Sequence, residues 1–199
     1  MSGRLPVVLL CLFLAVAVVL GIDPYDRSDW LLENALVVLV LAVVLAGHRH
    51  RPLSGVAYVA LFAFLLLHEV GAHYTYSKVP WAQWWQALCG IAPSPARNPF
   101  DRAVHFAYGL LLAPAVSDWT AARTPLRGRA LRVVVVALLT AGSALYEMIE
   151  WVAAEAFGGE LGTAYLGTQG DEWDAQKDMA LALAGSLLWA LLPRRLSRA

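Results

Sequence analysis

Cysteine is nearly absent from this chain. Cys11 lies in the first apolar stretch and Cys89 in a tryptophan-rich segment, so they fall at different depths and supply neither a disulfide framework nor a metal-ligand spacing. Both are expected to be inert. Charge is also scarce, at 15% of residues against 59% hydrophobic with a mean hydropathy of +0.58, which excludes an ordinary soluble domain. A glycine-rich phosphate loop, a Ser-His-Asp spacing and a basic patch are missing too, which removes the usual nucleotide, triad-hydrolase and nucleic-acid readings. No small-x-small cleavage site precedes Gly21-Ile22-Asp23-Pro24. The first apolar stretch is therefore expected to remain as a span and not to act as a cleaved signal.

What is present is a series of apolar runs long enough, at about 1.5 Å per residue, to cross a hydrocarbon core of roughly 30 Å. Hydropathy predicts an all-α membrane protein with a single integral-membrane domain over 1–199 and six transmembrane helices at 5–22, 30–47, 53–72, 103–119, 131–152 and 177–193. With both termini cytoplasmic, Arg4, Arg49, Arg51, Arg123, Arg127, Arg129, Arg132, Arg194, Arg195 and Arg198 lie inside, and Arg27, Lys78, Arg97, Arg102 and Lys177 outside. That excess is what the positive-inside bias requires. His48 and His50 alternate with arginines in an inner turn and are expected to be solvated anchors.

Between the third and fourth spans, Trp81, Trp84, Trp85 and Leu88 recur at helical spacing between Pro80 and Gly90. They predict a short extracytoplasmic interfacial helix near 81–89, either an aromatic anchor or a gate for lateral access. The last outer loop, 153–176, mixes glycines with acids and aromatics and reads as an ordered cover.

The acids and histidines gather at one end of the spans: His68, Glu69 and His73; Asp101 and His105; Glu147 and Glu150; Asp171, Asp174 and Asp178. Ionisable groups at membrane depth are costly and usually face a cavity, a partner or an ion. Helical spacing puts Glu69 with His73, Asp101 with His105, Glu147 with Glu150, and Asp174 with Asp178 on shared faces. Pairs from four helices are the ligand supply of carboxylate-bridged metal sites in helical bundles. Histidine with carboxylates suits Zn, Mn or Fe, and the oxygen-rich subset suits Mg or Ca. An ion-pair network using Arg102 and Lys177 is the competing reading.

The segments His68-Glu69-Val70-Gly71-Ala72-His73-Tyr74-Thr75-Tyr76, Arg97-Asn98-Pro99-Phe100-Asp101-Arg102 with His105-Phe106, Tyr146-Glu147 with Glu150-Trp151, and Gly167-Thr168-Gln169-Gly170-Asp171 with Trp173-Asp174-Ala175-Gln176-Lys177-Asp178-Met179 together resemble the YjdF family of bacterial inner-membrane proteins, a domain of unknown function. A weaker pattern, Asp101/His105, Glu147/Glu150 and Asp178 with Gly185, is similar to VanZ-like membrane proteins, from which it departs at Glu150 and Ala182. The resemblance implies a bacterial inner membrane location.

The expected function is a metal-dependent hydrolase or transferase acting at the extracytoplasmic face on a lipid-linked or envelope substrate within the lipid bilayer, without nucleic acid. Glu69, His73, His105, Glu147 and Asp178 are candidate ligands of a divalent metal (Zn, Mn, Fe or Mg). Glu150 or Asp174 is a candidate general base, and Tyr108 would orient substrate or a ligand. His68, Asp101, Arg102, Gln169, Asp171 and Lys177 are expected to line the cavity. The alternatives are a cation- or proton-coupled binding or transport protein, and a non-catalytic protein held by ion pairs.

Overall fold

The structure, a computed structural model, describes residues 4–91, 97–159, 162, 166 and 168–193. Parts of the last outer loop, including Gly167, and the C-terminal arginines lie outside the described residues. Within them the secondary structure is helical, with no strand. The helices are α1 (Arg4–Leu20), α2 (Arg27–His48), α3 (Gly55–His73), α4 (Trp81–Cys89), α5 (Phe100–Leu111), α6 (Ala113–Arg123), α7 (Gly128–Phe157) and α8 (Asp174–Leu191). By length and composition α2, α3 and Gly128–Ala156 can cross a membrane, and α1 is a shorter apolar helix.

The expected fourth span is not one helix. It breaks at Leu112, where α5 ends and α6 begins with Pro114 in its first turn. Proline has no N–H to donate and clashes with the carbonyl four residues back, so a continuous helix would be strained there. The second span starts earlier than hydropathy places it. Asp26 accepts hydrogen bonds from the backbone of Ser28 (2.8 Å) and Asp29 (3.0 Å), an N-cap that brings Asp29 and Glu33 inside α2. Helix α7 has 30 residues, about 45 Å at 1.5 Å per residue. Glu147 and Glu150 therefore sit within a helix and not at its end.

Helix α4 forms as the tryptophan spacing predicts, closed by Gly90 in the left-handed conformation (φ 72°). It buries none of its residues: Trp84, Trp85 and Leu88 face outward.

In a bilayer, apolar contact alone drives little association, and close packing of small residues carries more of it. Helix α5 packs chiefly on α8, and the crossing is made by glycines from both sides. A Cβ on Gly109 would come 1.9 Å from the Ala182 carbonyl oxygen, and one on Gly185 would come 2.1 Å from that of Phe106. Phe13, Val37, Leu61 and Leu65 join α1, α2 and α3, while Ala113, Val135 and Leu139 join α6 to α7.

The basic loops share one end of the bundle. There the Asp118 carboxylate accepts from the backbone N–H of Ser54 at 2.8 Å, and Arg132 donates to the Ala190 carbonyl at 2.5 Å. The acidic groups share the other.

Candidate functional site

The close α5–α8 crossing brings Asp178 to the face of α5 that carries Asp101 and His105. Ligand atoms of these three all lie within 4.8 Å of one another. His105 Nε2 is 3.5 Å from Asp101 Oδ1 and 3.7 Å from Glu147 Oε1 of α7. Two ligands each about 2.1 Å from one ion lie roughly 3–4 Å apart, so the spacing suits a shared cation. Asp178 is 2% exposed, and its Oδ1, like Glu147 Oε1, is buried with no hydrogen-bond partner. A buried oxygen left unpartnered costs on the order of 1–3 kcal/mol or more, which makes these the atoms in want of a proton or metal. Glu147 and Glu150 lie one turn apart on α7, so two carboxylates there must share a proton or a cation, or repel. The chemistry of this donor set, one imidazole and several carboxylates, fits a divalent metal.

Beside this group lies a cavity of about 280 Å³ between α2, α3, α5 and α7. Three helices show it polar groups toward one end and apolar ones toward the other: Asp29 and Glu33 then Val37 and Val40 on α2; His68 then Leu65 and Phe64 on α3; Asp101 and His105 then Tyr108 and Leu112 on α5. On α7, Glu150 and Tyr146 alternate with Ile149 and Leu145 before Ser143 and Gly142.

One wall carries a chain of hydrogen bonds. Tyr76 Oη donates to His68 Nδ1 at 2.6 Å, and His68 Nε2 donates to the Glu33 backbone carbonyl at 3.3 Å. Tyr146 Oη donates to Glu33 Oε2, also at 3.3 Å. Burial first, and then the surrounding carboxylates, push the Tyr76 hydroxyl well above its ordinary pKa. It therefore stays a donor, which fixes His68 as the neutral Nε2–H tautomer. Tyr76 is held by strained backbone: Thr75 (φ 50°) and Tyr76 (φ 48°) both adopt the left-handed region, uncommon for residues with a side chain. This hook turns the ring back over Gly71, where a Cβ would meet it at 2.6 Å.

Asp29, Glu33, Tyr76 and Tyr146 were not among the sequence candidates. The signal for the first two was present: Asp29 and Glu33 are an i, i+4 acidic pair at the start of an apolar run, like the pairs that were recognised.

The remaining candidates separate. Asp171, Asp174, Arg102 and Lys177 form a collar with Arg97. Arg97 bonds Asp174 and the Thr168 carbonyl; Arg102 bonds Asp171 at 2.5 Å and approaches Asp174 at 3.4 Å; Lys177 bonds Asp171 at 2.6 Å. For these residues the ion-pair arrangement is what the structure holds, and Asp174 is committed to two arginines. Gln169 clamps Asn98, accepting from its N–H at 2.9 Å and donating to its carbonyl at 3.2 Å.

His73 and Glu69 are not brought to the His105 group. His73 Nδ1 donates to the Leu20 carbonyl at 2.7 Å, ending α1. Glu69 is fully buried beside Trp30 and Asn34 of α2. Tyr108 lines the cavity, but its hydroxyl donates to the Leu139 carbonyl at 3.3 Å in the space that Gly142 leaves open.

The Lys177 hydrogen bond, with help from Trp173 N–H and Arg102, holds the Asp171 carboxyl well below its usual range. A depressed carboxylate stabilises the fold above its unfolded pKa and loses that contribution as pH falls through the lower folded value. Protection factors of the 168–174 loop, corrected for the intrinsic pH dependence of amide exchange, should therefore stay unchanged between neutral pH and about pH 4, near the unfolded Asp value, and fall only below it. In Lys177→Met protection should already be lower at neutral pH, and the further loss on acidification should be smaller.

The family described as "Predicted membrane protein (DUF2238)" matches residues 5–199. The chain belongs to that family. A relative within reach of the DUF2238 description, "Inner membrane protein YjdF" of Escherichia coli (strain K12), is 39% identical over 168 residues, covering 84% of this chain and 78% of its own length. No solved structure matches. This DUF2238 chain is thus a membrane protein with an inner-membrane relative, while its VanZ-like resemblance rests on the residue pattern alone.

Proposed function

We propose that the chain is a six-span inner-membrane protein whose acidic end faces outward, and that it is a metal-dependent hydrolase or transferase acting on a lipid-linked or envelope substrate. The observation that carries this reading is the convergence of Asp101, His105 and Asp178 within 4.8 Å, with Glu147 beside them and buried carboxylate oxygens unpartnered. A divalent metal held there supplies Lewis acidity. Among this chain's own residues, Glu150 lines the neighbouring cavity one helical turn from Glu147, which suits it to accept a proton from a nucleophile in that cavity. The hydrogen-bonded Tyr76–His68 pair forms a fixed wall of that cavity.

A cation- or proton-coupled binding protein is the second reading, favoured by Glu147 and Glu150 standing one turn apart on α7, where two carboxylates must share a proton or a cation or repel. The apolar end of the cavity, at Val37, Val40 and Leu112, weighs against a polar path to the opposite face.

Metal analysis of the purified protein tests the first reading. Stoichiometric Zn, Mn or Fe is expected, reduced by tenfold or more in Asp178→Ala and in Glu147→Ala, since ligand loss typically costs at least as much as the roughly 10–100-fold of a supporting group. Protein of native thermal stability that never holds metal would sink it. Orientation is tested separately by labelling introduced cysteines from outside: a cysteine at Gly159 should react and one at Thr124 should not, and the reverse would place the site in the cytoplasmic half.

A further inference from the structure

The cavity is bounded by carboxylates at one end and by hydrocarbon at the other, and none of the residues lining it is a lysine or arginine. The basic groups nearest its mouth, Arg97, Arg102 and Lys177, are already paired with Asp171 and Asp174. At the Asp29 and Glu33 end, away from the proposed metal site, an arriving phosphate or carboxylate would meet acids with no basic side chain to receive it. Asp29 sharpens the point: it is 1% exposed, lines the cavity, and its Oδ1 has no hydrogen-bond partner. Glu33, at 2% exposed, lies one turn further in.

Size and shape narrow the occupant further. From Asp29 to Val40 the lining of α2 runs about 16 Å at 1.5 Å per residue, close to half of a hydrocarbon core of roughly 30 Å. The volume, about 280 Å³, falls just under the range of roughly 300–1,000 Å³ common for ligand pockets. It is room for a single chain and not for a two-chain lipid. Helices α2 and α7 both line the cavity, yet α2 packs mainly on α3 and scarcely on α7. That leaves a seam through which a chain can enter sideways from one leaflet.

We propose that this cavity binds a single-chain amphiphile with a cationic amine head, the ammonium seated against Asp29 and Glu33 and the chain lying along Val37, Val40, Phe64 and Leu112. The proposal rests on the function proposed above and names its substrate class. The amine at Asp29 and Glu33 and the metal at Asp101, His105 and Asp178 occupy adjoining subsites, so one positions the molecule while the other acts on it.

Photoreactive long-chain probes that differ only in the head, a primary amine, an alcohol and a phosphate monoester, test this on the full chain in nanodiscs at neutral pH, with and without chelator. The amine should label peptides of α2 and α7 most strongly in both conditions. Asp29→Asn should weaken amine labelling roughly tenfold, the scale of a lost hydrogen bond to a charged group, and leave the alcohol unchanged. Val40→Phe, which narrows the apolar end, should weaken all three. Equal labelling by alcohol and amine, preference for the phosphate, or indifference to Asp29→Asn in protein of native thermal stability would each overturn the proposal. Because labelling is read with chelator present, its failure leaves the metal measurement standing, and a protein that takes the amine but never holds metal sinks the enzyme reading alone.

Discussion

Gly185→Ala will part α5 from α8 and disrupt the proposed metal site without replacing any of its candidate ligands. The added Cβ would lie 2.1 Å from the Phe106 carbonyl oxygen and 2.9 Å from the Leu110 backbone nitrogen. Both are backbone atoms of a helix and cannot swing aside as a side chain would, so the helices must separate by an ångström or more. Overpacking of this kind costs roughly 1–3 kcal/mol and sometimes more. Gly109→Ala meets the same obstacle from the other side, with Ala182 at 1.9 Å. In each variant the thermal midpoint in detergent should fall by several degrees, as expected for ~1 kcal/mol or more in a chain of this size, and metal content should fall with it because Asp178 moves away from His105. Gly47→Ala is the control: a Cβ there meets nothing within 4 Å, and alanine is the better helix former. If Gly185→Ala kept native stability and metal, the small-residue crossing would not be what positions Asp178.

The i, i+3 and i, i+4 spacings recovered Asp101 with His105 and Glu147 with its neighbour Glu150, because those pairs interrupt apolar runs and have nowhere to go but inward. It also proposed Glu69 with His73, and here the structure differs. The end of α3 is crowded by α1 and α2, so His73 is spent on the Leu20 carbonyl and Glu69 faces Trp30. Spacing along one helix says which residues share a face; it does not say which neighbour that face meets. Asp29 and Glu33 went unrecognised because the hydropathy window began at residue 30, one residue past Asp29, and their pairing was obscured by the boundary of the span. The Arg97 contact to Asp174 crosses 77 positions and depends on how two outer segments meet, which no local pattern encodes. The break at Leu112 was legible in principle from Pro114, whereas the hook at Thr75 and Tyr76 was not, since neither is a residue type that favours the left-handed region.

Glu150→Gln is the variant that separates a shared-cation site from a structural network. In the wild type, Glu147 and Glu150 lie one turn apart on α7, and Glu33, bonded to Tyr146, lines the same cavity as Glu150. Without a cation, the pair must share a proton or repel. A glutamine at 150 keeps the length and can donate its N–H to Glu147 without borrowing a proton. The metal-free protein should therefore be as stable as the wild type or more so. The metal-bound protein should lose. Binding to the folded state stabilises by about 2.7 kcal/mol at a hundredfold excess over Kd, and weakening the site tenfold at the same concentration removes roughly 1.4 kcal/mol of that. Thermal unfolding with chelator and with added metal reads both terms. The opposite pattern, a loss of several kcal/mol without metal and an unchanged response to it, is what truncating one member of a buried charged network produces. In that event Glu150 would belong to the ion-pair scaffold that Arg97, Arg102 and Lys177 build at the mouth, and the acid–base role on α7 would pass to no other residue of that helix.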